Sequence, residues 1–253
     1  MAFWDTPDVL SGTIGVPTQQ SGPLPKVDLG LSIIHTGSNA FVWTMNFKQL
    51  QMPSSYAWMV NSNMPYDCAR EVTVRALLPY NPKWIFSLDT DVLTPPDALM
   101  KLIKLAEDNN KDIVSGMYWA KKRETFNMPA AWLKTGEDKA ANKVTYAAVD
   151  IKQWLDKNAL ITCDVVGAGC LLVRTSVFTR LDQSDPKKPF FQWGLTRKDE
   201  LTGLPLKQMS EDFYLMERCK NELNIFPHLA TDVKCGHICT VQKRPADGEF
   251  ELI

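Results

Sequence analysis

Two carboxylates one residue apart, Asp89 and Asp91, close an almost wholly apolar run in "WIFSLDTDVLTPPDAL", residues 84–99. Like charges that close repel, so the arrangement asks for a cation or for open solvent. Residues two apart at the end of an extended strand face the same side. Hard divalent cations such as Mg²⁺ or Mn²⁺ take oxygen ligands, commonly one or two carboxylates with phosphates and waters completing the shell. An Asp-x-Asp pair by itself equally suits a solvated turn. Its setting, a buried strand before and a helix start after, favours metal and diphosphate.

The elements around the pair follow from local patterns. Trp84 to Leu88 is short, apolar on both faces and without strict alternation, which suits a buried parallel strand. Thr94-Pro95-Pro96-Asp97 predicts a helix start with Thr94 as its cap, and Leu99, Leu102, Ile103 and Ala106 share one helical face. "DIVSGMYW" supplies the next strand. This β-loop-α-β unit puts both Asp residues at a strand's carboxyl end, where open α/β sheets bind ligands. Upstream, "LGLSII" and "SYAWMVN" predict strands, and "FVWTMNFKQLQ" and "YDCAREVTVRALLPY" helices. Downstream, "KTGEDKAANK" predicts a solvated loop and "VDIKQWLDKN" a short helix. Two strands are expected around Gly167-Ala168-Gly169, then a helix from near Thr175. The polar stretch over about 182–209 predicts a lid. "SEDFYLMERCKNE" predicts a helix capped by Ser210, and "IFPHLATDVKCGHI" ends in a strand.

Composition sets outer bounds. A chain of 253 residues with 45% hydrophobic and 23% charged residues is an ordinary globular protein with one large core. Its net charge of -1 gives no electrostatic case for a nucleic-acid partner. The opening "MAFWDTPDVL" lacks a signal peptide's basic start, and no apolar run reaches the roughly 18 residues of a membrane span. A cytoplasmic protein without an integral membrane segment is therefore expected. The six cysteines form no dense framework and are expected to be free thiols. "CGHIC", Cys235 to Cys239, departs from the spacing of structural zinc sites.

Taken in order, four segments carry a family resemblance: "CAREVTVRALL", "SLDTDVLTPPDAL", "VVGAGCLLVRTSVF", and "SEDFYLMERC" followed by "DVKCGHI". On these the chain resembles the nucleotide-sugar-dependent glycosyltransferases of the GT-A fold, in a family-2-like, Asp-x-Asp form. The resemblance implies a single α/β domain with a Rossmann-like, mostly parallel central sheet flanked by helices and a smaller mixed sheet on the acceptor side. Residues 1–27 would be an extended lead-in, about 28–120 the nucleotide-binding half and about 121–253 the acceptor-binding half.

It also implies roles. Asp91 would be the main ligand of Mn²⁺ or Mg²⁺, with Asp89 near the metal or the ribose and His237 adding a nitrogen. Alone, His237 suits a core position at a strand end. Asp212 would be the general base that takes the acceptor proton, and Glu211 would orient the acceptor or support the helix, although Ser-Glu-Asp also suits any helix N-terminus. Arg70 would face the diphosphate or base, unless it is a surface residue of an amphipathic helix. His35, Thr36 and Gly37 end the first strand where the family receives the base, and they depart from the Pro-Thr-Tyr-Asn type found there. Gly169, Trp193, Arg197 and Lys198 fall to the acceptor side or lid, with Trp193 stacking on a sugar and the two cations reaching phosphate. His228 is structural. The implied donor is a UDP- or GDP-linked sugar and the implied acceptor a glycan, lipid or protein hydroxyl, with a slight lean to inversion. The competing readings are a nucleotidyltransferase, disfavoured because "HTGSNAF" lacks a basic phosphate loop, and a non-catalytic nucleotide-sugar or glycan-binding module.

Overall fold

The computed structural model describes residues 24–35, 41–62, 64–120, 128–138, 143–154, 157–195 and 208–238. The chain opens with β1 (Leu29–Ile34), α1 (Phe41–Phe47), β2 (Tyr56–Asn61), α2 (Tyr66–Leu77), β3 (Trp84–Asp89), β4 (Val92–Leu93), α3 (Ala98–Asp108) and β5 (Ile113–Met117). It continues through β6 (Ala131–Asp138), β7 (Lys143–Ala148), β8 (Leu160–Thr162), β9 (Val165–Val166), β10 (Cys170–Arg174) and α4 (Thr175–Ser184). It ends in β11 (Gly194–Leu195), β12 (Gln208–Met209), α5 (Glu211–Leu223), β13 (His228–Lys234) and β14 (Gly236–His237).

A seven-stranded sheet in the order β2-β1-β3-β10-β5-β13-β8 forms the centre. β1 runs parallel to β2 and β3, and β5 parallel to β13, whereas β10 lies antiparallel between β3 and β5 and β8 is antiparallel at the edge. The strand-helix-strand unit expected around Asp89 is present. Its two strands are not neighbours, however, because β10 returns from late in the chain to separate them. Alternation through the strands sorts the core into two layers. Ile85, Leu171 and Val173 join Val74, Leu77, Phe178 and Leu215 on one face. Trp84, Phe86, Leu88 and Leu172 join Trp43, Leu99 and Leu102 on the other. Burial of each such side chain contributes about 1.5–3 kcal/mol, which holds β3 rigidly enough to present what stands at its end.

Three local expectations need correction. In "KTGEDKAANK" the described residues, 134–138 and 143, are strand, since β6 and β7 pair antiparallel and β9 completes a three-stranded sheet. α3 begins after Asp97, not after Thr94, because Asn46 Oδ1 accepts the Thr94 N–H at 2.8 Å and Asn46 Nδ2 donates to the Thr94 carbonyl at 2.8 Å. "VDIKQWLDKN" holds one 3₁₀ turn, Lys152–Trp154. Cys163, Cys170, Cys219 and Cys235 are buried free thiols and Cys68 is an exposed one. No described helix is long and apolar enough to cross a membrane.

Candidate active site

The carboxyl ends of β1, β3, β5 and β13 converge, and the residues singled out by chemistry gather there. Asp89 is fixed through its backbone. Its N–H donates to the Gly169 carbonyl at 3.0 Å, and its own carbonyl accepts the Trp43 indole N–H at 3.0 Å. Gly169 thus braces the end of β3 directly.

His237 reaches the site because β13 is irregular. Its register against β5 steps from Ala230–Gly116 to Lys234–Met117, and a bulge of this kind re-aims the strand that follows. β14 then pairs with β4, opposing His237 to Val92, while Ile238 N–H donates to the Asp91 carbonyl at 2.7 Å. His237 Nδ1 lies 2.6 Å from the Trp119 carbonyl oxygen. A carbonyl only accepts, so Nδ1 carries a proton, and the neutral tautomer this selects has its lone pair on Nε2. Nε2 stands 3.6 Å from Asp91 Oδ1, too far for a hydrogen bond. Two electron-pair donors facing each other at that spacing suit a shared cation, and a backbone carbonyl fixing the other ring nitrogen is the usual support for a metal-binding histidine. The residues therefore fit a divalent ion. Among the described residues no group of three or more His, Cys, Asp and Glu side chains is arranged to hold a metal. Cys235 does not turn toward the pair: its sulfur lies 3.7 Å from Cys170 Sγ.

Asp89 is held by Arg70. The guanidinium is buried, at 3% exposure, so the surface reading does not describe it. Nη2 lies 2.9 Å from both Asp89 carboxylate oxygens, Nε donates to Glu211 Oε1 at 3.1 Å, and Nη1 donates to Ser87 Oγ at 2.8 Å and the Ala168 carbonyl at 3.3 Å. Burial alone would lower the Arg70 pKa, but the Asp89 and Glu211 charges hold it well above its ordinary value. Asp89 is pushed up by burial, against Arg70 and with help from the Asp91 and Glu211 charges.

α5 brings the other two acids. Ser210 occupies the N-cap position as expected, yet its hydroxyl donates to Asp212 Oδ1 and accepts no backbone N–H of the helix. Phe213 N–H donates to the same oxygen at 2.8 Å. Glu211 is buried on Arg70. Asp212 is pushed up to about 6, first by burial and then by the Glu211 charge, against the Ser210 hydroxyl, the Phe213 N–H and Arg70. A carboxyl near 6 is suited to exchange protons close to neutral pH.

Tyr118, which sequence reasoning missed, joins the halves. Its ring packs edge-on against His237, with centroids 5.4 Å apart, and its hydroxyl accepts the Gly169 N–H at 2.9 Å. Burial, then the charges of Asp89 and Asp212, push its phenol up, so it stays neutral. The sole sequence signal was its place at the end of the "VSGMY" strand. Trp43 and Asn46, which clamp the Asp89–Thr94 turn from α1, were also missed.

The remaining residues divide. His35 follows β1 and donates its N–H to the Asn61 carbonyl at 2.9 Å. Thr36, Gly37, Arg197 and Lys198 lie outside the described residues. Trp193 is exposed and its N–H donates to Asp67 Oδ2 at 3.0 Å. The start of the expected lid is fixed structure: residues up to Ser184 complete α4, and Phe190 and Phe191 are buried, their N–H groups donating to Glu71 Oε2 at 2.7 and 3.1 Å. His228 is buried at the start of β13, as the structural reading held.

No protein-family model matches the chain, and no curated protein matches it by sequence. Solved structures do match in shape. A197 from STIV superposes with a TM-score of 0.52 at 15% identity, over 83% of this chain and 85% of that one. GalNAc-T7, crystallised with UDP, GalNAc and Mn²⁺, superposes with a TM-score of 0.53 at 8% identity, over 85% of this chain and 44% of that one. The fold is of the GT-A type. At these identities the likeness carries the fold alone, and the chain spans less than half of the GalNAc-T7 chain. The mostly parallel sheet, its flanking helices and the smaller antiparallel sheet agree with the architecture the sequence implied.

Proposed function

We propose that this GT-A chain is a metal-dependent glycosyltransferase that moves a sugar from a UDP- or GDP-sugar to a hydroxyl acceptor. The supporting observation is the facing pair of Asp91 Oδ1 and His237 Nε2, 3.6 Å apart, at the sheet end that also receives Asp212. Asp91 and His237 would hold Mn²⁺ or Mg²⁺. When bound, that ion supplies Lewis acidity that offsets the charge building on a departing diphosphate.

The chain's own residues account for the rest. Asp212, ionised above about pH 6, accepts the proton of the acceptor hydroxyl as that oxygen attacks the sugar carbon. The proton moves to the carboxylate oxygen not already engaged by Ser210 and Phe213, both of which bond Oδ1. Glu211 supports the base from its buried pair with Arg70. Tyr118 and Trp119 hold the His237 ring in the orientation that presents Nε2. Direct displacement by such a base inverts the sugar centre. UDP with Mn²⁺ is the donor-side set held by the GalNAc-T7 crystal, and it motivates the nucleotide class.

The test is a thermal-shift panel of UDP, GDP, CDP and dTDP with and without Mn²⁺, followed by donor-sugar hydrolysis in Mn²⁺ or EDTA. Stabilisation by one of UDP or GDP that needs Mn²⁺, and hydrolysis that EDTA stops, are expected. Hydrolysis indifferent to EDTA refutes the metal role, and binding without turnover on any donor leaves a nucleotide-sugar-binding module in its place.

A further inference from the structure

Arg70 is a buried cation with four of its five N–H donors engaged. A guanidinium offers five N–H groups in a rigid fork. Here Nε serves Glu211, Nη1 serves Ser87 and Ala168, and Nη2 serves Asp89, all at 2.8 to 3.3 Å. The partners lie 17, 19, 98 and 141 residues away in sequence, on β3, on the turn before β10 and on α5. At 3% exposure no face of the group is left for a phosphate. Its charge is also needed where it is, since Asp89, Asp91, Glu211 and Asp212 converge and one buried carboxylate without a counter-charge is costly.

From this geometry we infer that Arg70 is a positioning residue. It ties the strand end carrying Asp89 to the helix start carrying Asp212, and so sets the distance between the donor-side acids and the base. It acts on the rate of transfer and not on donor affinity. A lysine keeps the charge but has a single nitrogen, which cannot span Glu211 and Asp89 in the fork's plane. The inference deepens the glycosyltransferase reading and rests on it for its kinetic half. Its structural half stands alone.

Two measurements test it. In the first, Arg70→Lys is assayed for Mn²⁺-dependent hydrolysis of the donor that the wild-type chain accepts. A misplacement of about 1 Å costs about 10²-fold in rate, so kcat falls by about that factor while KM for the donor stays within about threefold. A KM raised about tenfold or more with kcat unchanged would make Arg70 a donor ligand and overturn the inference. In the second, urea midpoints are compared for Arg70→Met, Glu211→Gln and the double variant, with Arg70→Lys replacing Arg70→Met if the latter does not fold. Each single change lowers the midpoint, and the double variant loses less than the sum of the two because Glu211 is no longer a buried carboxylate without its cation, while Asp89 still is. Strictly additive midpoints overturn the tie. Because this cycle needs no turnover, an inactive wild-type chain would sink the proposed function while the midpoints still decide the role of Arg70.

Discussion

Replacing Gly167 with alanine is predicted to strain the site through Tyr118. A Cβ at position 167 would stand 2.2 Å from the Tyr118 hydroxyl oxygen and 3.0 Å from both Tyr118 Cζ and Ala130 Cβ. Gly167 N–H is meanwhile bonded to the Ala130 carbonyl at 2.7 Å, so the backbone cannot retreat without losing that bond. Tyr118, itself buried, must move, and the Gly169 N–H that it holds at 2.9 Å loses its acceptor. Overpacking of this kind costs about 1–3 kcal/mol, and a buried N–H left without a partner about 1–3 kcal/mol more. The expected loss is about 2–6 kcal/mol, against a total stability on the order of 5–15 kcal/mol. Urea unfolding followed by far-ultraviolet circular dichroism reads it directly. Adding Tyr118→Phe removes the oxygen at 2.2 Å, so the double variant should be more stable than Gly167→Ala alone, although Tyr118→Phe by itself destabilises. Because Tyr118 also braces the His237 ring, Gly167→Ala should weaken the Mn²⁺ response as well. A Gly167→Ala chain within about 0.5 kcal/mol of wild type, or a Tyr118→Phe effect of the same sign and size in both backgrounds, would refute the steric reasoning.

Asp212→Asn should leave Mn²⁺-dependent nucleotide binding intact, measured by thermal shift, while lowering transfer by about 10²–10⁴-fold. With its pKa raised from the usual 3.8 to about 6, Asp212 should give a rate that climbs through pH 6 and then levels; a rate flat from pH 5 to 8 counts against this base. The sign for stability is the reverse. The raised pKa favours the folded state fully below the usual value, and that contribution is lost as pH rises through about 6, a trend that Asp212→Asn should reduce in urea titrations, leaving the part of the same sign that Asp89 supplies. Trp43→Phe removes the indole bond to the Asp89 carbonyl and should cost about 0.5–1.5 kcal/mol, together with a rise in donor KM.

What could be read in advance was whatever local pattern determines. Trp84 to Asp89 shows its burial in its composition, and the run is buried up to the partly exposed Asp89. Leu99, Leu102 and Ala106 are fully buried on α3, as their spacing requires. The α5 start, with Glu211 and Asp212 in its first turn, is where the Ser-Glu-Asp run put it. What failed depended on partners far along the chain. Thr94 would cap α3 were Asn46 not holding its N–H from 48 residues upstream. Arg70 sits on an amphipathic helix beside Ala69, Thr73 and Val74, and no local rule shows that a carboxylate 141 residues later will bury it. β6 exposes Leu133, Thr135 and Glu137, and its mostly polar composition past Leu133 resembles that of a loop. The approach of His237 to Asp91 was not legible in periodicity, since the bulge in β13 that aims it leaves no mark there.

The account turns on an ion shared by Asp91 and His237. Anomalous diffraction from crystals soaked in Mn²⁺ with UDP or GDP, recorded at the manganese edge, addresses that claim most directly. The predicted result is one strong peak bonded to both Asp91 Oδ1 and His237 Nε2, displaced from the Arg70-held carboxylate of Asp89 and absent in Asp91→Asn. Manganese found elsewhere, or a vacant space between those two side chains with nucleotide bound, would contradict it.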